Sequence, residues 1–175
     1  MGIKSKTKRL DVNYTPLQIS GSIEVVGSVP DRQIYSSDVK EYTPDYTLTP
    51  LVLFPRCNAT DPDSYLKSGP VNASLTNMKW YQIIGTQRTL INSDNTDYEI
   101  TTEGDNKGQI KVKRNSSVSS PLAFEFYAEY VDTRTSQVYM FRLSTVIPVS
   151  DATLPTPVLK LDSPATVVWN PLRNP

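Results

Sequence analysis

The sequence predicts an all-β fold, in which two antiparallel sheets form a sandwich and extended arms leave it at both ends. Three observations support this prediction. Short segments alternate apolar and polar residues with a period of two, and clusters of Gly, Pro, Asn and Asp separate these segments. No stretch of ten or more residues shows the apolar period of an amphipathic helix.

The clearest pair of strands lies between residues 121 and 147. In its first half, every second residue from Leu122 is apolar, and the residues between them include Glu125 and Glu129. This is the pattern of a strand with one buried face. Turn-forming residues follow at 132–136, and residues 138–147 resume an alternating, β-rich run. We therefore predict a long antiparallel hairpin whose core side chains are Leu122, Phe124, Phe126, Ala128 and Tyr130.

Length and composition limit the possible functions. The chain has 175 residues, which suits one domain with extensions. It carries 18 Lys and Arg against 18 Asp and Glu, so no global charge directs it to nucleic acid or to an anionic membrane. It contains no histidine, the commonest general base and metal ligand. The composition therefore favours a non-enzymatic protein without cofactor, metal, small-molecule substrate or nucleic-acid partner.

Cysteine content and hydropathy indicate how the fold is held together. Cys57 is the single cysteine, so a disulfide within the chain is impossible and hydrophobic burial must hold the fold. No stretch approaches 18 apolar residues, and no apolar region follows the positive charges of the N-terminus. We therefore expect neither a signal peptide nor a membrane span. Three Asn-x-Ser/Thr triplets, beginning at residues 58, 72 and 115, are accordingly interpreted as loop composition.

Residues 1–22 are predicted to form a basic, flexible arm that shows no sustained periodicity. Its positive charges are Lys4, Lys6, Lys8 and Arg9. One interpretation is a solvated tail. The other is an arm that docks on a neighbouring chain, because Tyr14, Leu17 and Ile19 give it apolar surface to bury. The first strand is expected to begin at Ile23.

Prolines at positions 44, 50 and 55 frame a compact apolar strand from Leu51 to Phe54, because proline is excluded from the middle of a central strand. Residues 58–70 are rich in turn formers and predict an exposed loop. Asn58, Asp61 and Asp63 offer oxygen ligands for calcium in that loop. Their spacing matches no EF-hand, so a calcium site is the weaker interpretation.

Trp80 lies in the middle of a predicted strand at residues 75–84, on the same parity as Met78. An exposed tryptophan there would be a platform for stacking a glycan. The mid-strand position favours a buried core residue instead. In total, about seven short strands are predicted between Ile23 and Val149, which indicates an Ig-like β-sandwich for residues 23–150 without the disulfide of antibody domains.

Four phrases of the sequence carry a resemblance to a known family. They are YTPDYTLTPLVLFPRCNATDPD from residue 42, NMKWY from residue 77, GQIKVKRN from residue 108 and FYAEYVDTRT from residue 126. They resemble the bacterial Ig-like domains of structural proteins in phages and prophages of Bacteroides-type gut bacteria, over roughly residues 23–150. The resemblance implies a virion component of a tail, neck or fibre, and it brings no catalytic motif.

Residues 151–175 are predicted to be an extended, Pro-rich linker or docking segment, because five prolines fall within residues 154–175. Two apolar clusters imply a burial partner, and the second consists of Val167, Val168 and Trp169. The partner is a second copy of the chain, which receives the segment by strand addition, or another virion protein. Alternatively, the segment is the opening strand of a further domain. We favour the intermolecular contact.

Two function classes remain after the search for catalytic motifs. The sequence contains no Gly-rich phosphate loop, no Cys pair and no nucleophile elbow, and Glu125 and Glu129 lie about 13 Å apart on one strand. The first class is a virion assembly protein, a homo-oligomer in contact with other virion proteins and made in the host cytoplasm. The alternative is a carbohydrate- or cell-surface-binding module, favoured by the loop aromatics Tyr42, Tyr46 and Tyr65.

Overall fold

The structure, a computed structural model, describes residues 13–152 and is built almost wholly of strands. The strands of the first sheet are β1 (Gln18–Val25), β4 (Leu51–Thr60), β5 (Gly69–Pro70), β8 (Tyr98–Ile100) and β9 (Ile110–Val112). This sheet has the order β1, β4, β9, β8, and β5 pairs with the end of β4. All of its pairings are antiparallel.

The strands of the second sheet are β6 (Thr76–Ile84), β7 (Gln87–Leu90), β10 (Leu122–Val131) and β11 (Val138–Ile147). This sheet has the order β11, β10, β6, β7 and is also antiparallel. In chain order, the two sheets have the A-B-E-D and G-F-C-C′ strand orders of an immunoglobulin-type sandwich. The predicted all-β sandwich is therefore confirmed.

The core lies between the two sheets. Trp80 of β6 and Phe126 of β10 are cross-strand partners, and their ring centroids are 5.1 Å apart. Phe124 contacts both Trp80, edge to face, and Tyr98 of the opposite sheet, at 5.7 Å. Trp80, Phe124 and Phe126 are buried, whereas Tyr130 is only partly buried and packs against the rim of this core.

A third, small sheet closes one end of the sandwich. It consists of β12 (Val149–Asp151), β2 (Gln33–Ser36) and β3 (Glu41–Thr43), and β12 runs parallel to β2. We call this end the lower pole. The opposite end, the upper pole, holds the turn at residues 132–137 and the segment at residues 13–17, because β1 begins beside the end of β4.

Strand β4 continues through Pro55 to Thr60, although proline was expected to stop it and residues 58–60 were expected in a loop. On the edge of β4 that faces β9, Leu51 to Leu53 pair with β9, and Asn58 and Ala59 pair with β5. In the gap between them, the side chain of Asn72 takes the place of a strand. Its Nδ2 donates to the carbonyl of Pro55 at 2.6 Å, and its Oδ1 accepts from the N–H of Cys57 at 3.0 Å. Proline is tolerated because its missing N–H falls where no strand would accept it.

The first strand also begins earlier than expected, at Gln18 rather than Ile23. Gln18 to Ser22 pair with Thr60 to Arg56 of β4, so these residues belong to the sandwich and not to an arm. Leu17 is buried just ahead of the strand. The alternation of β1 is weak in sequence because Ser20, Gly21 and Ser22 interrupt it, and Gly21 is required where Leu143 and the carbonyl of Arg56 approach within 3.0–3.2 Å of a Cβ position.

Candidate functional site

Arg134 occupies the turn between β10 and β11 and is the centre of a buried group of charges at the upper pole. Asp132 makes two hydrogen bonds that stabilise the turn. Its backbone N–H donates to the carbonyl of Gln137, and its Oδ1 accepts from the N–H of Arg134. The guanidinium binds the same carboxylate through Nε at 3.0 Å and Nη2 at 2.9 Å. This two-point geometry matches the planar fork of arginine.

Two further carboxylates meet the same guanidinium. Nη1 donates to Oδ1 of Asp61, and Oδ2 of Asp63 lies 3.8 Å from that nitrogen. The side chains of Arg134, Asp61 and Asp132 are 5%, 1% and 1% exposed. We call Arg134, Asp61, Asp63 and Asp132 the Arg134 cluster. Its four formal charges, one positive and three negative, leave it acidic.

Hydrogen bonds keep these carboxylates ionised in spite of burial. Burial opposes ionisation of Asp61, but N–H donors of Leu66 and Asp63, together with Arg134, hold the pKa of its carboxyl below the usual value. The hydrogen bond from Arg134 is the main reason that the pKa of Asp132 is also lowered. The hydrogen bond to Asp132 is the main cause that raises the pKa of Arg134, and Asp61 adds to it. Asp61, Asp132 and Arg134 are thus charged at neutral pH.

The cluster binds the segment that precedes β1. Asp63 accepts from the N–H and the hydroxyl of Thr15, at 2.6 and 2.8 Å, and Arg134 donates to the carbonyl of Thr15 at 3.1 Å. The guanidinium also lies 5.1 Å from the ring centre of Tyr14, whose edge meets Tyr65 at 5.5 Å. The upper pole therefore holds the chain's own residues 14 and 15 through backbone atoms, the Thr15 hydroxyl and one aromatic ring.

A second candidate surface is the outer face of the second sheet. Tyr127 of β10 lies opposite Lys79 on one side and Arg142 on the other. The Tyr127 hydroxyl donates to Glu129 at 2.7 Å, and Asn77 donates to the other oxygen of Glu129 at 2.6 Å. Both bonds lower the pKa of Glu129, and the bond from Tyr127 is the larger cause. The bond to Glu129 is also the main reason that the pKa of Tyr127 is raised.

Within residues 13–152, neither of the two cations beside Tyr127, Lys79 and Arg142, forms a salt bridge, although the charge of Lys79 helps to lower the pKa of Glu129. The salt bridge of this sheet is formed by Arg88, which pairs with Glu125 and lies 3.4 Å above the ring of Tyr81. Together these side chains line a shallow polar depression. Its chemistry suits hydroxyl and carboxylate groups better than apolar ligands.

The tyrosines expected in exposed loops have different environments. Tyr46 is fully buried, and its hydroxyl donates to the carbonyl of Pro30 at 2.7 Å. Burial raises its pKa to about 12. It is a core residue and not a binding platform, so that part of the expectation is wrong. Tyr42 stacks on Tyr35 in the third sheet at 4.7 Å, and Tyr65 is 68% exposed beside Tyr14.

The calcium interpretation does not fit the upper pole. Asp61 and Asp63 face Arg134, a cation that already occupies the position between them. Asn58 is in β4, opposite Ser20. Within residues 13–152, no group of three or more Cys, Asp or Glu side chains is arranged to hold a metal ion.

The predicted docking residues of the two arms lie outside the described residues. They are Lys4, Lys6, Lys8 and Arg9 at one end, and Val167, Val168 and Trp169 at the other. Sequence reasoning missed the Arg134 cluster, whose partners are up to 119 residues apart in the chain. The sequence does contain one relevant signal. Arg134 lies in a turn marked by Asp132, Thr133 and Ser136, and Asp132 is the one carboxylate close to it in that turn.

The fold and these surfaces define the class of the protein as an Ig-type β-sandwich that holds a peptide segment at one pole. Comparison with protein-family models gives no match to this chain, and comparison with curated protein sequences gives none either. Within residues 13–152, no helix has the length and hydropathy that a membrane crossing requires.

Proposed function

We propose that this chain is a non-enzymatic structural protein of a phage virion, associated with the tail, neck or fibre. It acts through contacts with other virion proteins and with further copies of itself in a symmetric assembly. It is made in the cytoplasm of the bacterial host and works in the virion. The resemblance of residues 23–150 to Ig-like domains of virion proteins is one support for this role.

The observation that carries the proposal is where the chain enters and leaves the sandwich. Residues 13–17 lie at the upper pole, and Ala152, whose N–H donates to the carbonyl of Tyr35, lies at the lower pole. The ten-residue strands β10 and β11 separate the poles by about 33 Å. A basic sequence therefore precedes one pole and an apolar, Pro-rich sequence follows the other, which suits a unit that connects neighbours along a line.

Deletion tests this role, and the structure fixes how much to remove. Residues 13–20 belong to the sandwich, so the deletion must end at residue 12. We expect a chain without residues 1–12 to keep its β circular dichroism spectrum and to be lost from purified virions, as measured by mass spectrometry. Binding by the basic arm should also weaken with salt. Normal incorporation of the shortened chain would contradict the role assigned to the arm.

The second candidate function is binding of an acidic carbohydrate, and the row Lys79, Tyr127 and Arg142 favours it. The carboxylate of a sugar would lie between the two cations. Glu129 would accept hydrogen bonds from the sugar hydroxyl groups, and Asn77 would donate to them. Glycan-array binding by the purified chain, lost in Arg142→Gln but kept in Arg56→Gln on the other sheet, would support this function. Absence of binding to any acidic glycan would remove it.

A further inference from the structure

The segment held by the Arg134 cluster has a counterpart near the other end of the chain. Residues 12–18 read Val-Asn-Tyr-Thr-Pro-Leu-Gln, and residues 167–173 read Val-Val-Trp-Asn-Pro-Leu-Arg. The two share Val, Pro and Leu at the same three positions. In addition, the aromatic Tyr14 aligns with the aromatic Trp169, and the small polar Thr15 aligns with the small polar Asn170. We call this pattern the aromatic-x-Pro-Leu motif.

The motif is more specific than its Pro-Leu pair alone. The chain has four Pro-Leu pairs, and in the described residues each leucine is buried at or beside the start of a strand: Leu17, Leu51 and Leu122. An aromatic residue stands two positions before the proline in two of the four cases, at Tyr14 and at Trp169. Only Tyr14 lies among the described residues, and it is the one on the Arg134 cluster.

Each position of the motif has a physical task at the upper pole. The aromatic ring lies by Arg134 and Tyr65. The next residue donates its N–H and a side-chain hydrogen to Asp63. The proline is exposed, and its ring fixes φ at about −65°, which stiffens the segment. The leucine enters the core, and its own N–H donates to the hydroxyl of Tyr139 at 2.9 Å.

Residues 169–172 satisfy the same requirements. Tryptophan is the best ring for an arginine cation, so Trp169 would gain more from Arg134 than Tyr14 does. Asn170 has a backbone N–H and a side-chain amide, which replace the two donors of Thr15 to Asp63. Pro171 and Leu172 are unchanged in type. The site therefore has two potential ligands in one chain.

We infer that the Arg134 cluster of one copy is the docking site for residues 169–172 of a second copy, which joins chains head to tail. The inference rests on the proposed assembly role and assigns its contact. Ala152 leaves the lower pole, and the 17 residues from there to Trp169 span up to about 56–61 Å. That length covers the distance to the upper pole of a copy placed below. The receiving copy releases its own residues 13–17.

Sedimentation velocity on the purified full-length chain tests this contact. Tyr14→Ala weakens the chain's own segment, so we expect association to begin at about tenfold lower concentration than in the wild type. Adding Trp169→Ala should return the chain to a monomer. Adding Leu48→Ala, an exposed apolar residue at the lower pole, should leave association unchanged. Tyr65→Ala in the Tyr14→Ala chain should also prevent association without unfolding, because Tyr65 is largely exposed.

Fluorine NMR of 5-fluorotryptophan-labelled chains identifies the occupant, because the two tryptophans give separate signals. We expect the Trp169 signal of Tyr14→Ala to shift as the concentration rises. A shifted signal in a chain that stays monomeric would place the segment on its own sandwich and overturn the inference, as would a solvent-exposed Trp169 signal at every concentration. Virions are absent from this assay, so its failure is distinct from a failure of incorporation.

Discussion

Replacement of Trp80 tests the packing of the two sheets most directly. Its ring lies against Phe124 and Phe126, and its Nε1–H donates at 2.8 Å to the carbonyl of Gly108, in the turn that leads into β9 of the opposite sheet. Trp80→Phe keeps an aromatic ring but removes the donor, whereas Trp80→Ala removes both. The pair of variants separates the contribution of the hydrogen bond from that of the buried ring.

The expected free-energy changes follow from these contacts. Trp80→Phe leaves the buried carbonyl of Gly108 without its partner, at a cost of about 1–3 kcal/mol. Trp80→Ala also leaves a cavity, and the loss is about 3–5 kcal/mol. For a domain of this size, the second change corresponds to a fall in Tm of about 6–20 °C. Because small domains are stable by about 5–15 kcal/mol, Trp80→Ala removes a large part of the total.

Urea and thermal unfolding followed by far-ultraviolet circular dichroism measure both variants without relying on the tryptophan that is removed. Leu48→Ala is the control, because Leu48 is 81% exposed and its loss should change stability by no more than about 0.5 kcal/mol. A Trp80→Ala chain that unfolds within about 1 kcal/mol of the wild type would refute the packing described between the sheets.

Four further outcomes are expected. Gly108→Ala should lower stability by about 1–3 kcal/mol in urea unfolding, because φ is +93° and a Cβ would lie 3.1 Å from a proline ring. Asn72→Ala should lose a similar amount by the same assay, because it leaves the N–H of Cys57 buried and unpaired. Asp61 and Asp132 have lowered pKa values in the folded state, so their contribution is present above about pH 4 and is lost as the pH falls through the folded values. Unfolding curves from pH 7 to pH 2 should therefore fall less steeply in Asp132→Asn. The thiol of Cys57, with its pKa raised to about 12 by burial, should react with a thiol reagent only in denaturant, as a colorimetric assay would show.

The hairpin and its core were predictable because their signal is local. In β10, side-chain alternation sets burial directly, and Phe124 and Phe126 are buried as the pattern indicates. Trp80 follows the same rule. Tyr130 departs from it because the strand has reached the upper pole, where the opposite sheet no longer covers it fully.

The upper pole and the third sheet were not predictable in this way. Thr15 meets Asp63 across 48 residues, and Gln33 of β2 meets Asn115 across 82 residues. Such partners have no periodic signature, because each is a single polar side chain that depends on the finished fold. The run of β4 through Pro55 was missed for a related reason, since the tolerance for proline comes from Asn72, a residue outside the strand.

The direction in which the terminal strands run has a mechanical consequence. Strand β1 enters at the upper pole and β11 leaves at the lower pole, so tension applied to the two ends of the chain would pull these two strands in opposite directions along their own axes. Strand β1 has eight paired positions with β4, and β11 has ten with β10. Under such a load, the hydrogen bonds of each pairing are stretched together in shear and cannot open one after another like a zip. The sandwich is therefore oriented to resist stretching along the line between its two poles.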